Sequence, residues 1–191
     1  MKILGISGSP RKGGNTELLV RTALDVCAAE GAEVELLSLA GKSIHPCTAC
    51  GGCKDTTPPR CTLNDPDFDG MVERFLAADG ILVGSPVYFS SATPETLALL
   101  DRVCYVTRAN GGLLRHKVGA AIAVGRRAGQ NVTFAQLNYF FLASEMFVPG
   151  SSYWNIAVGR DKGEAANDQE GMETVKTLAK NMMLLLTKLG K

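Results

Sequence analysis

Five short strand-like runs alternate along this chain with five helix-like segments, and few architectures accept that order. The runs are KILGIS (residues 2–7), EVELLSL (33–39), GILVGS (80–85), VGAAIAV (118–124) and YWNIAV (153–158). Apolar residues return at helical spacing over residues 15–30, where Leu18, Leu19, Thr22, Ala23 and Val26 share a face. Helices are also expected over 67–78, 94–106, 131–143 and 164–189. Strands that are apolar on both faces need cover on both. The pattern therefore predicts an α/β chain with a parallel sheet between two layers of helices, a doubly wound three-layer sandwich. Ligands of such sheets sit beyond the carboxyl ends of the strands, where strand order reverses. The loops after the first, third and fourth strands are the places to look for chemistry.

A chain of 191 residues, 46% hydrophobic and 20% charged, suits one domain with a full core. No internal repeat, low-complexity tract or linker divides it, so residues 1–191 are read as one unit. The net charge of +1 lacks the electrostatic footprint that nucleic acid or an anionic membrane selects. The partner is expected to be a small molecule or a protein. MKILGIS meets glycine too soon for a secretory h-region, and nowhere do eighteen apolar residues run together. A cytoplasmic protein is expected. In that reducing compartment, clustered cysteines point to metal ligands or redox thiols rather than structural disulfides.

The loop after the first strand, SGSPRKGGNT (7–16), carries the strongest signal outside the cysteines. It lacks the G-x-G-x-x-G dinucleotide pattern, no acidic residue closes the second strand, and Gly13–Gly14 lead into Asn15 rather than into a Walker lysine. It does hold hydroxyls (Ser7, Ser9, Thr16), an amide (Asn15), a guanidinium (Arg11) and glycines, all at the start of a helix. Free amides and the positive end of the helix dipole favour an anion there, so the loop is read as a monophosphate cradle. A plain turn capped by Asn15 or Thr16 is the simpler alternative. In GSPVYFSSATPE (84–95), Pro86 fixes one φ angle and Tyr88 and Phe89 offer faces to a planar ring, unless they are core. In VGRRAGQN (124–131), Arg126 offers a cation that would stabilise a reduced flavin anion, whereas paired arginines usually mark solvated surface.

The segments GISGSPRKGGNT, PCTACGGC, ADGILVGSPVYF and DQEGMETVKTLAKNMM, taken in order over nearly the whole chain, resemble the flavodoxin-like NADPH-dependent FMN reductase superfamily. PCTACGGC resembles its iron-sulfur flavoprotein branch in particular. The resemblance implies a flavodoxin-like five-stranded sheet in the order 2-1-3-4-5, FMN at the ends of strands one and three, and a homodimer or homotetramer with flavin sites near subunit contacts. It implies phosphate contacts from Ser7, Ser9, Arg11, Asn15 and Thr16. Pro86, Val87, Tyr88 and Phe89 would surround the ribityl chain and ring, with Gly125 and Arg126 from the fourth loop. Many relatives are richer in glycine there than GRRAGQ is.

Four of the six cysteines fall within residues 47–61 of a cysteine-rich loop at 45–65. Cys47, Cys50 and Cys53 form C-x-x-C-x-x-C, a run that lets three thiolates wrap one cluster, and Cys61 is the expected fourth ligand. A 4Fe-4S cluster is the favoured reading. Zinc usually pairs two separated C-x-x-C knuckles, and unliganded thiols on a glycine turn are the remaining alternative. Cys27 and Cys104 are read as small buried hydrophobes, and His45 as surface. No hydrolytic triad is legible.

A cluster exchanges single electrons and FMN takes one or two, so the expected activity passes electrons from a carrier such as ferredoxin to a small-molecule oxidant. Two alternatives stand beside it: an FMN or quinone reductase without a cluster, fed directly by NAD(P)H, and a non-catalytic flavodoxin-like carrier. The near-neutral charge disfavours the carrier, because flavodoxins tend to be strongly acidic. In FAQLNYFFLASEMFVPGSSYW, the residues Phe134, Leu137, Tyr139, Phe140, Phe141, Leu142, Met146 and Phe147 occupy more than one helical face. A subunit interface is expected there.

Overall fold

The structure, a computed structural model, describes residues 1–191. In chain order come β1 (Lys2–Ser7), α1 (Asn15–Ala29), β2 (Glu33–Ser38), α2 (Met71–Ala77), β3 (Gly80–Pro86), α3 (Pro94–Ala109), β4 (Val118–Gly125), α4 (Gln130–Ala143), β5 (Ile156–Val158) and α5 (Gln169–Lys188). Every strand pairing is parallel, and the spatial order is β2-β1-β3-β4-β5, the flavodoxin-like order that the resemblance implied. Strand order reverses between β1 and β3. The carboxyl ends of these strands therefore open the crevice in which such sheets bind ligands.

The two-residue period of the strands sorts their side chains between two cores. Leu4 and Ile6 of β1, Ile81 and Val83 of β3, and Ala121 of β4 meet α2, α3 and α4 on one face. Ile3, Leu82, Ala120 and Ile122 meet α1 and α5 on the other. Cys27 lies in this second core, where burial and then Glu30 push its thiol up to about 11, so it behaves as an inert hydrophobe. Cys104 departs from expectation. It is only half-buried and sits 3.9 Å from Ser144 Oγ.

Three elements differ from their sequence expectations. The second helix begins at Met71 rather than 67, because Gly70 takes a left-handed φ of 73° and the preceding residues fold into a turn around Asp65. β5 keeps three residues instead of six; Tyr153 and Trp154 stand exposed before it. The segment 164–189 splits into a short 3₁₀ turn, Glu164–Asn167, and α5, because Asp168 caps α5 by accepting from the Gly171 N–H. α3 starts where a cap allows. Thr93 accepts from the Thr96 N–H with Pro94 at the first helical position, the place where a missing N–H costs nothing.

α4 carries no charged residue. Leu137, Phe140 and Phe141 are core, and Met146 is buried just beyond the helix. Val132, Tyr139 and Leu142 face outward and exposed, with Phe147 and Trp154 nearby in the chain also exposed. The expectation of apolar residues on more than one face holds, although half of those named belong to the core.

Candidate functional site

The crevice at the carboxyl ends of β1, β3 and β4 is an open cleft of about 310 Å³. Its inner wall is built by the turn out of β1. Gly8 N–H donates to Gly84 O at 2.7 Å and Gly8 O accepts from Thr93 Oγ1 at 2.8 Å, so the loops after β1 and β3 are laced together. A Cβ on Gly8 would come within 1.9 Å of Thr96 Oγ1, which leaves glycine as the residue that fits. Ser9 Oγ accepts from the Arg11 N–H at 3.1 Å, and the chain then enters α1 at Gly14. Gly14 supplies no capping side chain, so no side chain occupies the first-turn amides of α1 at the cleft. That is the arrangement an anion completes.

Nine of the eleven residues assigned to FMN line this cleft: Ser9, Arg11, Asn15 and Thr16 from the first loop, Pro86, Val87 and Tyr88 from the second, and Gly125 with Arg126 from the third. Two do not. Ser7 ends β1 wholly buried, paired in register with Ser38 and Gly84, and its Oγ finds no partner. Phe89 is wholly exposed. Tyr88 and Ser91 exchange both backbone hydrogen bonds, and the two-residue turn between them holds Phe89 and Ser90 at φ of 50° and 65°, which directs Phe89 away from the cleft. Asn15 lines the cleft with its amide already engaged. Nδ2 donates to Asp161 O at 2.9 Å and Oδ1 accepts from the Ala165 N–H at 3.3 Å, tying the start of α1 to the loop after β5.

That last loop was missed by sequence reasoning, and it brings Gly159, Arg160 and Lys162 to the cleft. A signal existed. The pentapeptide IAVGR occurs twice, at Ile122–Arg126 and Ile156–Arg160, at the ends of adjacent strands, a short repetition that the reading of a chain without internal repeats overlooked. The lining thus holds Arg11, Arg126, Arg160 and Lys162 and no carboxylate. None of the four cations forms an ion pair. An uncompensated positive cleft over an open helix N-terminus fits the phosphate and the anionic reduced ring of FMN.

The loop after β1 is braced from behind by Glu17. Burial pushes its carboxyl up, but the Gly13 N–H at 3.0 Å, the Arg21 guanidinium and Ser38 Oγ outweigh that and hold it below the usual carboxylate range. A depressed folded value stabilises above the unfolded pKa of about 4.3 and is lost as pH falls through the folded value. Glu17→Gln is therefore expected to lower the urea midpoint at pH 7. The gap to the unsubstituted protein should narrow below about pH 4; a gap independent of pH would contradict the role of the charge.

All four loop cysteines line a second, smaller pocket with Ala49, Gly51, Leu63 and three residues of α3, Arg102, Tyr105 and Val106. Cys50 is exposed and Cys47, Cys53 and Cys61 are half-buried. The loop is tied down by Asp65, which accepts from the His45 N–H at 3.0 Å and pairs with Arg102, and by Asn110 Nδ2, which donates to Cys53 O at 2.8 Å. His45 itself is exposed and is not among the pocket's lining residues. Four thiols with no carboxylate or imidazole among them are a soft donor set, of a kind that iron–sulfur centres and structural zinc both use. The space they enclose is about 20 Å³, and no three of the chain's thiol, imidazole or carboxylate groups already stand in a metal-holding arrangement. The cleft and the thiol pocket share no lining residue.

The sequence profile of the NADPH-dependent FMN reductase family matches residues 1–161. An iron-sulfur flavoprotein of Methanocaldococcus jannaschii is 43% identical over 189 residues, covering 95% of each chain. An iron-sulfur flavoprotein of Methanosarcina thermophila is 38% identical over 194 residues, covering 100% of this chain and 98% of that one. Among solved structures, the apo form of an NADH:FMN oxidoreductase superposes with a TM-score of 0.70 at 20% identity, over 96% of this chain and 88% of that one, a likeness of fold.

Proposed function

Because this chain belongs to the NADPH-dependent FMN reductase family, in its iron-sulfur flavoprotein branch, we propose that it draws electrons from a one-electron carrier through a cysteine-held 4Fe-4S cluster to FMN and on to a small oxidant. The chain is a flavin-dependent oxidoreductase by family. The observation that carries the finer reading is the convergence of four thiols, fourteen positions apart at most in sequence, on one pocket beside α3.

In this reading Ser9, Thr16 and the first-turn amides of α1 hold the FMN phosphate, while Arg11 and Lys162 neutralise it. Pro86, Val87 and Tyr88 wall the ribityl chain and ring, and Gly125 lets the backbone approach from the other side. Arg126 and Arg160 place positive charge where the reduced ring is anionic. When bound, the cluster supplies single-electron exchange and FMN supplies one- or two-electron chemistry. A ferredoxin-like donor suits such a pair. Cytoplasmic placement suits it too, since all six cysteines are free thiols; no helix of the chain is long and apolar enough to cross a membrane.

A second reading, direct reduction of FMN by NAD(P)H without a cluster, is favoured by one observation: the loop thiols do not already form a metal-holding group. Anaerobic purification with a spectrum, iron and acid-labile sulfide separates the two. Flavin bands with about four iron and four sulfide per chain support the relay. Flavin bands alone, bleached by NADPH, favour the second reading.

The reading extends to assembly. A 14-residue helix without a charge, exposing Val132, Tyr139 and Leu142, is suited to cover by a second copy of the chain. Light scattering at micromolar concentration should report at least twice the chain mass of 20.2 kDa. A monomer at that concentration would remove the dimer from the proposal.

A further inference from the structure

Arg102 is wholly buried, and its surroundings are unusual for an arginine. One terminal nitrogen, Nη1, donates to Asp65 and to His45 O, the latter at 3.2 Å. The other, Nη2, donates to Cys61 Sγ at 3.4 Å, and the guanidinium carbon lies 3.7 Å from the centre of the Phe68 ring. Its Nε–H is buried and donates to nothing. A buried ion pair with one donor spent on sulfur and another left over is poorly explained by stability alone, because burial of both charges is costly and an apolar pair of the same volume often serves better. A cation lining a four-thiol pocket is explained if the thiols carry a net negative centre.

Resting on the cluster reading above, we propose that Arg102 is the positioning and tuning residue of the cysteine-held centre: its guanidinium holds Cys61 by a hydrogen bond to sulfur and raises the centre's reduction potential. Hydrogen bonds to ligating sulfur and nearby positive charge stabilise the more negative, reduced form. Asp65 fixes the guanidinium and partly offsets its charge. The two residues therefore act on the potential with opposite signs.

The test is a mediated redox titration of the anaerobically prepared protein, with dithionite as reductant. Each dithionite gives up two electrons as it is oxidised to two sulfites, one electron entering each of two centres, and no bond to the protein is made or broken. Iron and sulfide are first assayed in the unsubstituted protein. Their absence after anaerobic incubation with ferrous iron and sulfide would overturn the cluster reading, and this inference with it. With the centre present, Arg102→Lys, which keeps a charge but loses the forked donor, is expected to lower the reduction equilibrium about tenfold, equal to 59 mV for one electron. Asp65→Asn is expected to shift the midpoint upward, and it decides the matter alone if R102K fails to fold. Unchanged midpoints, or shifts of the same sign in both variants, would overturn the role of Arg102 while leaving the cluster intact.

Discussion

Replacing Cys50 and Cys53 together by serine is expected to abolish iron and sulfide binding while FMN remains bound at the unsubstituted stoichiometry. A serine oxygen is a poor ligand for a soft iron–sulfur centre, and losing two of four donors leaves too few to hold one. The flavin should be untouched because the thiol pocket and the cleft share no lining residue. Cys50 is exposed and Cys53 only packs against the edge of the core, so the fold should tolerate both changes. Iron, sulfide and extracted flavin measured on one sample check the result. Iron retained at full occupancy would sink the assignment of these cysteines; flavin lost along with iron would show that the two sites depend on each other.

Thr16→Asp is expected to weaken FMN binding at least a hundredfold. Thr16 is the second residue of α1, buried, and lines the cleft at the open helix end. A carboxylate of similar size there meets the flavin phosphate. Two unit charges about 4 Å apart repel by about 4 kcal/mol at the effective dielectric of a protein surface, and salt reduces this only in part. In the apo-protein the first-turn position favours a carboxylate by roughly 0.3–1 kcal/mol, which only partly offsets the cost of placing a charge at this buried position. Titration calorimetry with FMN checks the loss, urea unfolding of the apo-protein shows that the variant is folded, and undiminished affinity would mean that the phosphate lies elsewhere.

Much of this protein was legible without coordinates. Short apolar runs located all five strands, and helical spacing and the segments between them located all five helices, with ends off by up to about five residues, because buried parallel strands are apolar on both faces and core-facing side chains recur every third or fourth residue in a helix. Misplaced ends trace to single residues. Gly70, left-handed, delays α2, and Asp168, a cap, splits the last helical segment. Cysteine spacing and the hydroxyl-rich first loop were equally visible, since both are local in the chain.

The remainder depended on what distant segments do to one another. Ser7 reads as a phosphate ligand until sheet register buries it between Ser38 and Gly84. Phe89 reads as a ring contact until a two-residue turn aims it at solvent. Arg160 and Lys162 reach the cleft because β5 pairs beside β4, with the Gly159 N–H bonded to Gly125 O. Arg102 meets Cys61 across 41 positions because the cysteine loop folds back onto α3. By itself, then, the sequence determined the alternation of elements and the two clusters of chemical groups, which short-range periodicity and spacing encode. Tertiary structure decided which groups face the cleft, which face solvent and which cation meets the thiols, because those outcomes depend on register and packing between segments that no local pattern relates.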